Sequence, residues 1–307
     1  MNTVLITGVT GFIGRYVARE FSEAGWNVVG LGTSPPENAP RQDLNNYQQL
    51  ILPSTELVDI IQKIQPQVCV HCAGRASVGL SLSEPAADFS ASVDVTFNLL
   101  YTLRNYASGC RLIYLSSAAV YGNPESLPIR ETHKPSPISP YGFHKLMSEQ
   151  LCSEFFKVYD QPTAIVRIFS AYGPGLRRQV LWDICRKTLT QPVLKLLGTG
   201  NESRDFIHVR DVARAIYTLV EKAPFEAEVY NLSSGIETEI KSLAELVLSH
   251  LERKINIEFD GMFTEGNPIN WQADISRIAQ LGFTPEVTLE RGTKVYAQWC
   301  RAEVVGW

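Results

Sequence analysis

Thr3-Val4-Leu5-Ile6-Thr7-Gly8-Val9-Thr10-Gly11-Phe12-Ile13-Gly14 stands at the head of the chain, and its reading decides the fold. The apolar run is a strand, and glycines at positions 8, 11 and 14 mark a tight turn into a helix. Gly8 permits the turn, Gly11 lets a pyrophosphate approach the backbone, and Gly14 lets helix pack on strand. The N-terminus of the following helix, with Phe12 and Ile13 in its first turn, then faces the phosphates. The spacing is GxxGxxG rather than the GxGxxG of the commoner dinucleotide fingerprint.

Outward from this turn, short apolar runs alternate with helix-period segments, the pattern of a parallel sheet covered by helices. Strands are predicted at residues 3–7, 27–31, 67–72, 111–116 and 163–169, with helices opening near Ile13, Ser54, Pro85 and Pro140. Such strands are buried on both faces, and runs such as Leu112-Ile113-Tyr114-Leu115 are accordingly near-continuously apolar. Past Gly175 the units shorten, with apolar runs at 194–197, 205–209, 229–232 and 255–259. The expected architecture is α/β: a Rossmann doubly wound parallel sheet with a smaller mixed α/β substrate-binding region. Residues 1–170 form the dinucleotide domain and 171–307 mainly the substrate region, with some segments returning to the first. Residues 33–40, with three prolines, read as a surface loop.

A net charge of −4 without any basic block argues against nucleic acid or an anionic membrane as partner and leaves a small molecule as the default. Met1 leads directly into the first strand with no signal-peptide pattern, and no apolar run is long enough to span a bilayer, so a cytoplasmic protein is expected. Among the six cysteines only Cys69 and Cys72 are close in sequence. They fall in a predicted strand, where residues three apart point to opposite faces, so they read as buried reduced thiols and no metal site is expected.

Two further segments carry chemistry: Leu115-Ser116-Ser117-Ala118-Ala119-Val120-Tyr121-Gly122 and Ser139-Pro140-Tyr141-Gly142-Phe143-His144-Lys145. Tyr141 and Lys145 are four apart on a helix opened by Pro140, so they leave the same face one turn apart. An ammonium and an oxidised nicotinamide beside a phenol lower its pKa, making Tyr141 a base for a hydroxyl or an acid for a ketone. Ser117, at a strand's carboxyl end, is placed to hydrogen-bond the same oxygen. An isolated YxxxK is most often a solvated surface pair; the ordered combination is what gives this one meaning.

Together with the glycine loop, these segments resemble the extended short-chain dehydrogenase/reductase family, and within it the nucleotide-sugar epimerase/dehydratase branch. The resemblance implies catalytic Ser117, Tyr141 and Lys145. It implies a cofactor site built from Gly8, Gly11, Phe12, Ile13, Gly14, Thr33, Ser34, Ala73, Gly74, Arg75, Tyr141, Lys145 and Ile168, with His71 packed beneath the turn. For the adenine contact, Asp43-Leu44 has the family's composition and Leu50-Ile51 the better spacing. NAD-preferring members end the second strand with an acidic residue; Gly32-Thr33-Ser34 stands here, with Arg15 or Arg41 nearby, which favours NADP over NAD.

The implied substrate is a nucleotide-diphosphate sugar, held by Ser77, Ser117, Ala118, Tyr141, Ser170 and Arg204. Ser170 replaces the family's asparagine. The family's second arginine is replaced by Glu265-Gly266-Asn267-Pro268, leaving Arg177 or Arg178 to compensate. Ala118-Ala119 stands where dehydratases carry an acidic pair, so water elimination is not expected and the pair resembles the 4-epimerases. Three readings stand: a 4-epimerase, an NADPH-dependent reductase of a nucleotide-linked 4-keto-6-deoxy sugar, and a non-catalytic dinucleotide binder. The family also implies a homodimer joined through paired helices, for which Leu146, Leu151, Phe155 and Phe156 offer apolar surface.

Overall fold

A computed structural model describes residues 2–262, 266 and 268–306, so Glu265 and Asn267 lie outside the described residues. The strands are β1 (Thr3–Thr7), β2 (Asn27–Gly32), β3 (Asn46–Gln49), β4 (Val68–His71), β5 (Arg111–Ser117), β6 (Thr163–Ile168), β7 (Ser170–Tyr172), β8 (Val193–Leu196), β9 (Ser203–His208), β10 (Glu226–Leu232), β11 (Glu237–Glu239) and β12 (Asn256–Phe259). The helices are α1 (Phe12–Glu23), α2 (Leu57–Ile64), α3 (Val78–Ser83), α4 (Pro85–Phe89), α5 (Val95–Tyr106), α6 (Pro140–Tyr159), α7 (Gln179–Thr190), α8 (Val209–Lys222), α9 (Ile240–His250), α10 (Ser276–Ala279) and α11 (Leu289–Val305).

Seven of these strands form one parallel sheet in the order β10-β6-β5-β4-β1-β2-β3. Alternation along each strand splits the core into two faces. Val4, Ile6, Val68, Val70, Ile113 and Leu115 pack under α1 and α8. Leu5, Cys69, Leu112 and Tyr114 pack under α2, α5 and α6. Burial on both sides explains the unbroken apolar runs, and Cys69 and Cys72 serve opposite faces as free thiols. The strand order reverses between β1 and β4, which opens a crevice at their carboxyl ends.

Three strands, β3, β7 and β11, escape the sequence reading. The edge strand β3 is Asn-Tyr-Gln-Gln, half solvated and without an apolar face. β7 has three residues and joins β9 and β11 in a separate small sheet. Although it follows residue 170, β10 pairs with β6 in the main sheet. A second apolar centre forms among α7, α9 and α11, around Leu181, Ile184, Leu243, Val247 and Tyr296. The helix predicted from Pro85 is α4, which continues through a π-helical turn at Ser90–Asp94 into α5.

His71, at the end of β4, is fully enclosed, with Nδ1 2.7 Å from the Thr7 hydroxyl and Nε2 3.3 Å from the Thr96 hydroxyl. Burial, with help from the Lys145 charge, lowers its pKa to about 3, and burial lowers that of His208 to about 4. An unfolded imidazole protonates near pH 6.5, so between about 6.5 and 4 the unfolded state carries more protons than the folded one and stability falls with pH. The melting midpoint, followed by circular dichroism, is expected to drop over that interval. His71→Asn should make the drop shallower; an equally steep drop would remove His71 as its source.

Candidate active site

Two adjoining cavities of about 380 and 530 Å³ follow the carboxyl edge of the sheet and share Gly8, Gly11, Cys72, Ala73 and Gly74. Where they meet, Gly8 sits at φ +67°, and a Cβ there would fall 2.7 Å from the Ala73 nitrogen. A Cβ on Gly14 would fall 2.3 Å from the Gly8 oxygen. Only glycine lets β1, α1 and the turn after β4 converge. Helix α1 starts at Gly11 with no side-chain cap and no acidic residue in its first turn. Its leading N–H groups are therefore left for an anion, and this cradle fits the diphosphate of a dinucleotide.

The smaller cavity runs away from the cradle between Leu31, Gly32 and Thr33 on one side and Leu50, Ile51 and Leu52 on the other. Of the two adenine candidates, Leu50-Ile51 lines it. Asp43 instead faces Arg19 at 3.9 Å, and Leu44 packs against the core. Ser34 stands beside this cavity rather than in its wall, and its hydroxyl donates to the Thr10 hydroxyl at 3.2 Å.

The larger cavity brings together Phe12, Ile13, Arg75, Ser77, Ser117, Tyr141, Lys145, Ile168, Ser170 and Arg204. Ala118 is not in this cavity's wall. It is fully enclosed in the cluster with Val120 and Ile129, because the chain turns into a 3-10 helix at that residue, and Ala119 lines the cavity in its place.

Ser139 caps α6 through the Gly142 N–H at 3.2 Å, with Pro140 in the first turn, which fixes where Tyr141 enters the cavity. The Ser81 hydroxyl accepts from the Tyr141 N–H at 3.1 Å. Lys145 lies one turn on, its Nζ donating to the Leu115 oxygen at 2.8 Å and lying 5.9 Å from the Tyr141 ring centre. Burial lowers its pKa to about 8, against the opposing charges of Asp88 and Glu149. Burial raises the Tyr141 phenol, while the Ser117 hydroxyl and the Arg178 charge pull it down.

Beneath the trio lies a buried polar network. Glu149, one turn beyond Lys145, receives Arg167 Nε at 2.9 Å, Arg167 Nη2 at 2.6 Å and the Ser116 hydroxyl. Arg167 Nη1 donates to the Tyr121 hydroxyl at 2.8 Å, which donates to Asn231 at 2.7 Å. Arg204 is built into the far wall, its Nη1 donating to the Ser203 and Ile269 oxygens at 2.8 and 3.0 Å and its guanidinium 5.5 Å from the Trp271 ring. Burial lowers its pKa to about 10. Trp271, Phe206 and Gln179 also line this cavity and carried no sequence signal.

A profile of the NAD dependent epimerase/dehydratase family matches residues 4–233. The chain belongs to this family. Among relatives, the UDP-glucuronate 4-epimerase of Thermodesulfobacterium geofontis is 26% identical, with 99% of this chain and 98% of that one covered. The Thermotoga maritima UDP-glucose 4-epimerase, solved with UDP-glucose, is 27% identical with a TM-score of 0.88, covering 98% of this chain and 99% of the other. MoeE5, solved with NAD and UDP-glucose or UDP-glucuronic acid, is 27% identical with TM-scores of 0.88 and 0.89, covering 99% and 98% of this chain and 100% of the other. This family member is thus an enzyme of the extended short-chain dehydrogenase/reductase type. Among its described residues no helix is long and apolar enough to cross a membrane, and no cluster of His, Cys, Asp or Glu is suited to a metal ion.

Proposed function

We propose that this chain is a nucleotide-sugar 4-epimerase that works through a transient 4-keto sugar. One observation carries the reading: Ser117, Tyr141 and Lys145 stand between a diphosphate cradle and a second cavity arm ending at Arg204. Tyr141 takes the proton of the sugar's 4-hydroxyl, Ser117 hydrogen-bonds that oxygen, and Lys145 adds positive charge beside the phenol. A dinucleotide held by the α1 cradle, Tyr141, Lys145 and Ile168 would supply hydride acceptance from the sugar carbon and its return to the other face. Arg204 holds the substrate diphosphate with a guanidinium already oriented by the wall. Ala119 beside Ser117 transfers no proton, and among the described residues the larger cavity is lined by no Asp or Glu, which weighs against water elimination.

For the dinucleotide we favour NADP, although MoeE5 was solved with NAD. Thr33 lines the cavity without a carboxylate beside it, and Arg15 reaches the same corner, its Nε 3.0 Å from the Thr10 oxygen. The same feature supports a second reading, an NADPH-dependent reductase of a 4-keto-6-deoxy sugar.

We also propose a homodimer. Phe155 is in the core and Leu146 and Leu151 pack against core clusters, so the exposed apolar face is instead Phe97 and Tyr101 on α5 with Phe143 and Met147 on α6.

Interconversion of UDP-glucose or UDP-glucuronate with its galacto epimer, without stoichiometric loss of NADPH, is the expected result. Tyr141→Phe should lower turnover about a thousandfold and leave dinucleotide binding in place. No interconversion across a broad nucleotide-sugar panel would end the epimerase reading, while stoichiometric NADPH consumption would establish the reductase. Calorimetry should give tighter binding of NADP than NAD, with Arg15→Ala weakening NADP about tenfold; tighter NAD would remove the NADP reading alone. Light scattering should give twice 34.2 kDa, and a monomeric mass would refute the dimer.

A further inference from the structure

Asp88 on α4 is fully enclosed, lines neither cavity, and has no part in the reaction above. One carboxylate oxygen takes His144 Nδ1 at 2.7 Å; the other, Oδ1, has no hydrogen-bond partner among the described residues. Burying a carboxylate oxygen without a partner is costly, so its presence calls for a use of the charge.

What lies beside it is the helix that carries Tyr141 and Lys145. His144 is the residue before Lys145, and the Phe89 ring stands edge-on to its imidazole at 5.3 Å. Beyond Phe89 the chain widens into the π-helical turn Ser90–Asp94, which follows α6: the Ser92 oxygen accepts from the Ser148 hydroxyl at 3.3 Å. The turn also reaches the ammonium, since a Cβ placed on Gly74 would fall 3.5 Å from the Ala91 oxygen and 3.9 Å from Lys145 Nζ. Asp88 and the head of Lys145 thus belong to one packed interface, between α4 with its turn and the stretch of α6 from His144 to Ser148.

The other titratable groups around Lys145 leave its charge unanswered. His71 and Cys72, at the end of β4, are uncharged near neutrality, burial having moved one to about 3 and the other to about 12. Burial also raises Tyr114 on β5, whose ring lies 5.0 Å from Nζ, and Tyr141 and Cys152 on α6. Glu149 is matched by Arg167 at 2.6 Å, Glu84 is turned to Arg75 at 2.7 Å, and Asp94 is exposed. Among the described residues Asp88 has no lysine or arginine of its own, and an imidazole donating from Nδ1 orients the carboxylate.

We propose that Asp88, oriented by a neutral His144, is the counter-charge that keeps Lys145 protonated beside Tyr141, and so is a positioning residue for the pair. The inference rests on the roles given above to Tyr141 and Lys145, and its first test does not depend on turnover.

NMR of the whole protein carrying isotope-labelled lysine follows Lys145 directly, its signal identified by its loss in Lys145→Met. The wild-type ammonium should titrate at about 8, and that of Asp88→Asn about one to two pH units lower. With substrate, Asp88→Asn should move both limbs of the kcat profile toward acid, because the lost negative charge favours deprotonation of Tyr141 and Lys145 alike. At pH 8 kcat should fall about tenfold with KM within about twofold of wild type; a packing defect would lower kcat without moving either limb. His144→Gln, which still offers the carboxylate a donor, should titrate as wild type. His144→Leu leaves the carboxylate bare, drives it to take up a proton, and should match Asp88→Asn, which keeps the test open if that variant does not fold. An unmoved Lys145 in either folded variant overturns the proposal. So does an upward shift in His144→Gln, which would mean that a charged imidazole had been cancelling Asp88. Absence of turnover on every nucleotide sugar, with the Lys145 shift in place, would defeat the epimerase reading and leave this one standing.

Discussion

Glu149 and Arg167 meet beneath α6 with two nitrogen–oxygen contacts, both side chains about 5% exposed. Removing charges from water costs several kcal/mol each, and the pair persists because nearly every remaining valence is used. Ser116 bonds the carboxylate from β5, Tyr121 bonds the guanidinium from the turn after Ser117, and Asn231 extends the chain of bonds to β10. Four segments, α6, β6, β10 and the stretch from β5 into its following turn, are thereby tied to one point. That point lies one turn beyond Lys145 and one residue before Ser117, so the same interaction sets the spacing of Ser117, Tyr141 and Lys145.

The network also explains why the first 170 residues do not make the sheet alone. Arg167 needs Asn231 and Tyr121 to complete its surroundings, and Asn231 donates its backbone N–H to the Glu131 carboxylate and its side-chain amide to the Ile129 oxygen. β10 therefore enters the sheet beside β6 for polar as well as apolar reasons. The apolar run at 229–232 marks the strand in the sequence, but its place beside β6 is set by this tertiary pairing.

What was legible in the sequence follows the same division. Strands buried on both faces, the glycine turn and the Tyr141–Lys145 spacing are properties of local sequence, and each is where it was expected. β3 was not legible because its pairing uses backbone alone at a wet edge. Ala118 and Ala119 are chemically identical, and only the 3-10 turn after β5 decides which of them meets the cavity. Thr33 and Ser34 differ in the same way: Thr33 lines the groove, while the Ser34 hydroxyl is bonded to that of Thr10.

Charge in the site is graded by commitment. Lys145 and Arg204 are held by backbone oxygens, so their geometry is in place before a ligand arrives and little reorganisation is needed. Burial works on the catalytic pair in opposite directions, raising the phenol of Tyr141 and lowering the ammonium of Lys145 to about 8. In the chain by itself the lysine is therefore the readier of the two to lose a proton. In the proposed reaction, a positive charge closer to the phenol than to Lys145 would favour the phenolate, so Tyr141 would serve as a base only when the groove is filled. The same burial that packs α6 onto the sheet thus links proton transfer to occupancy of the dinucleotide site.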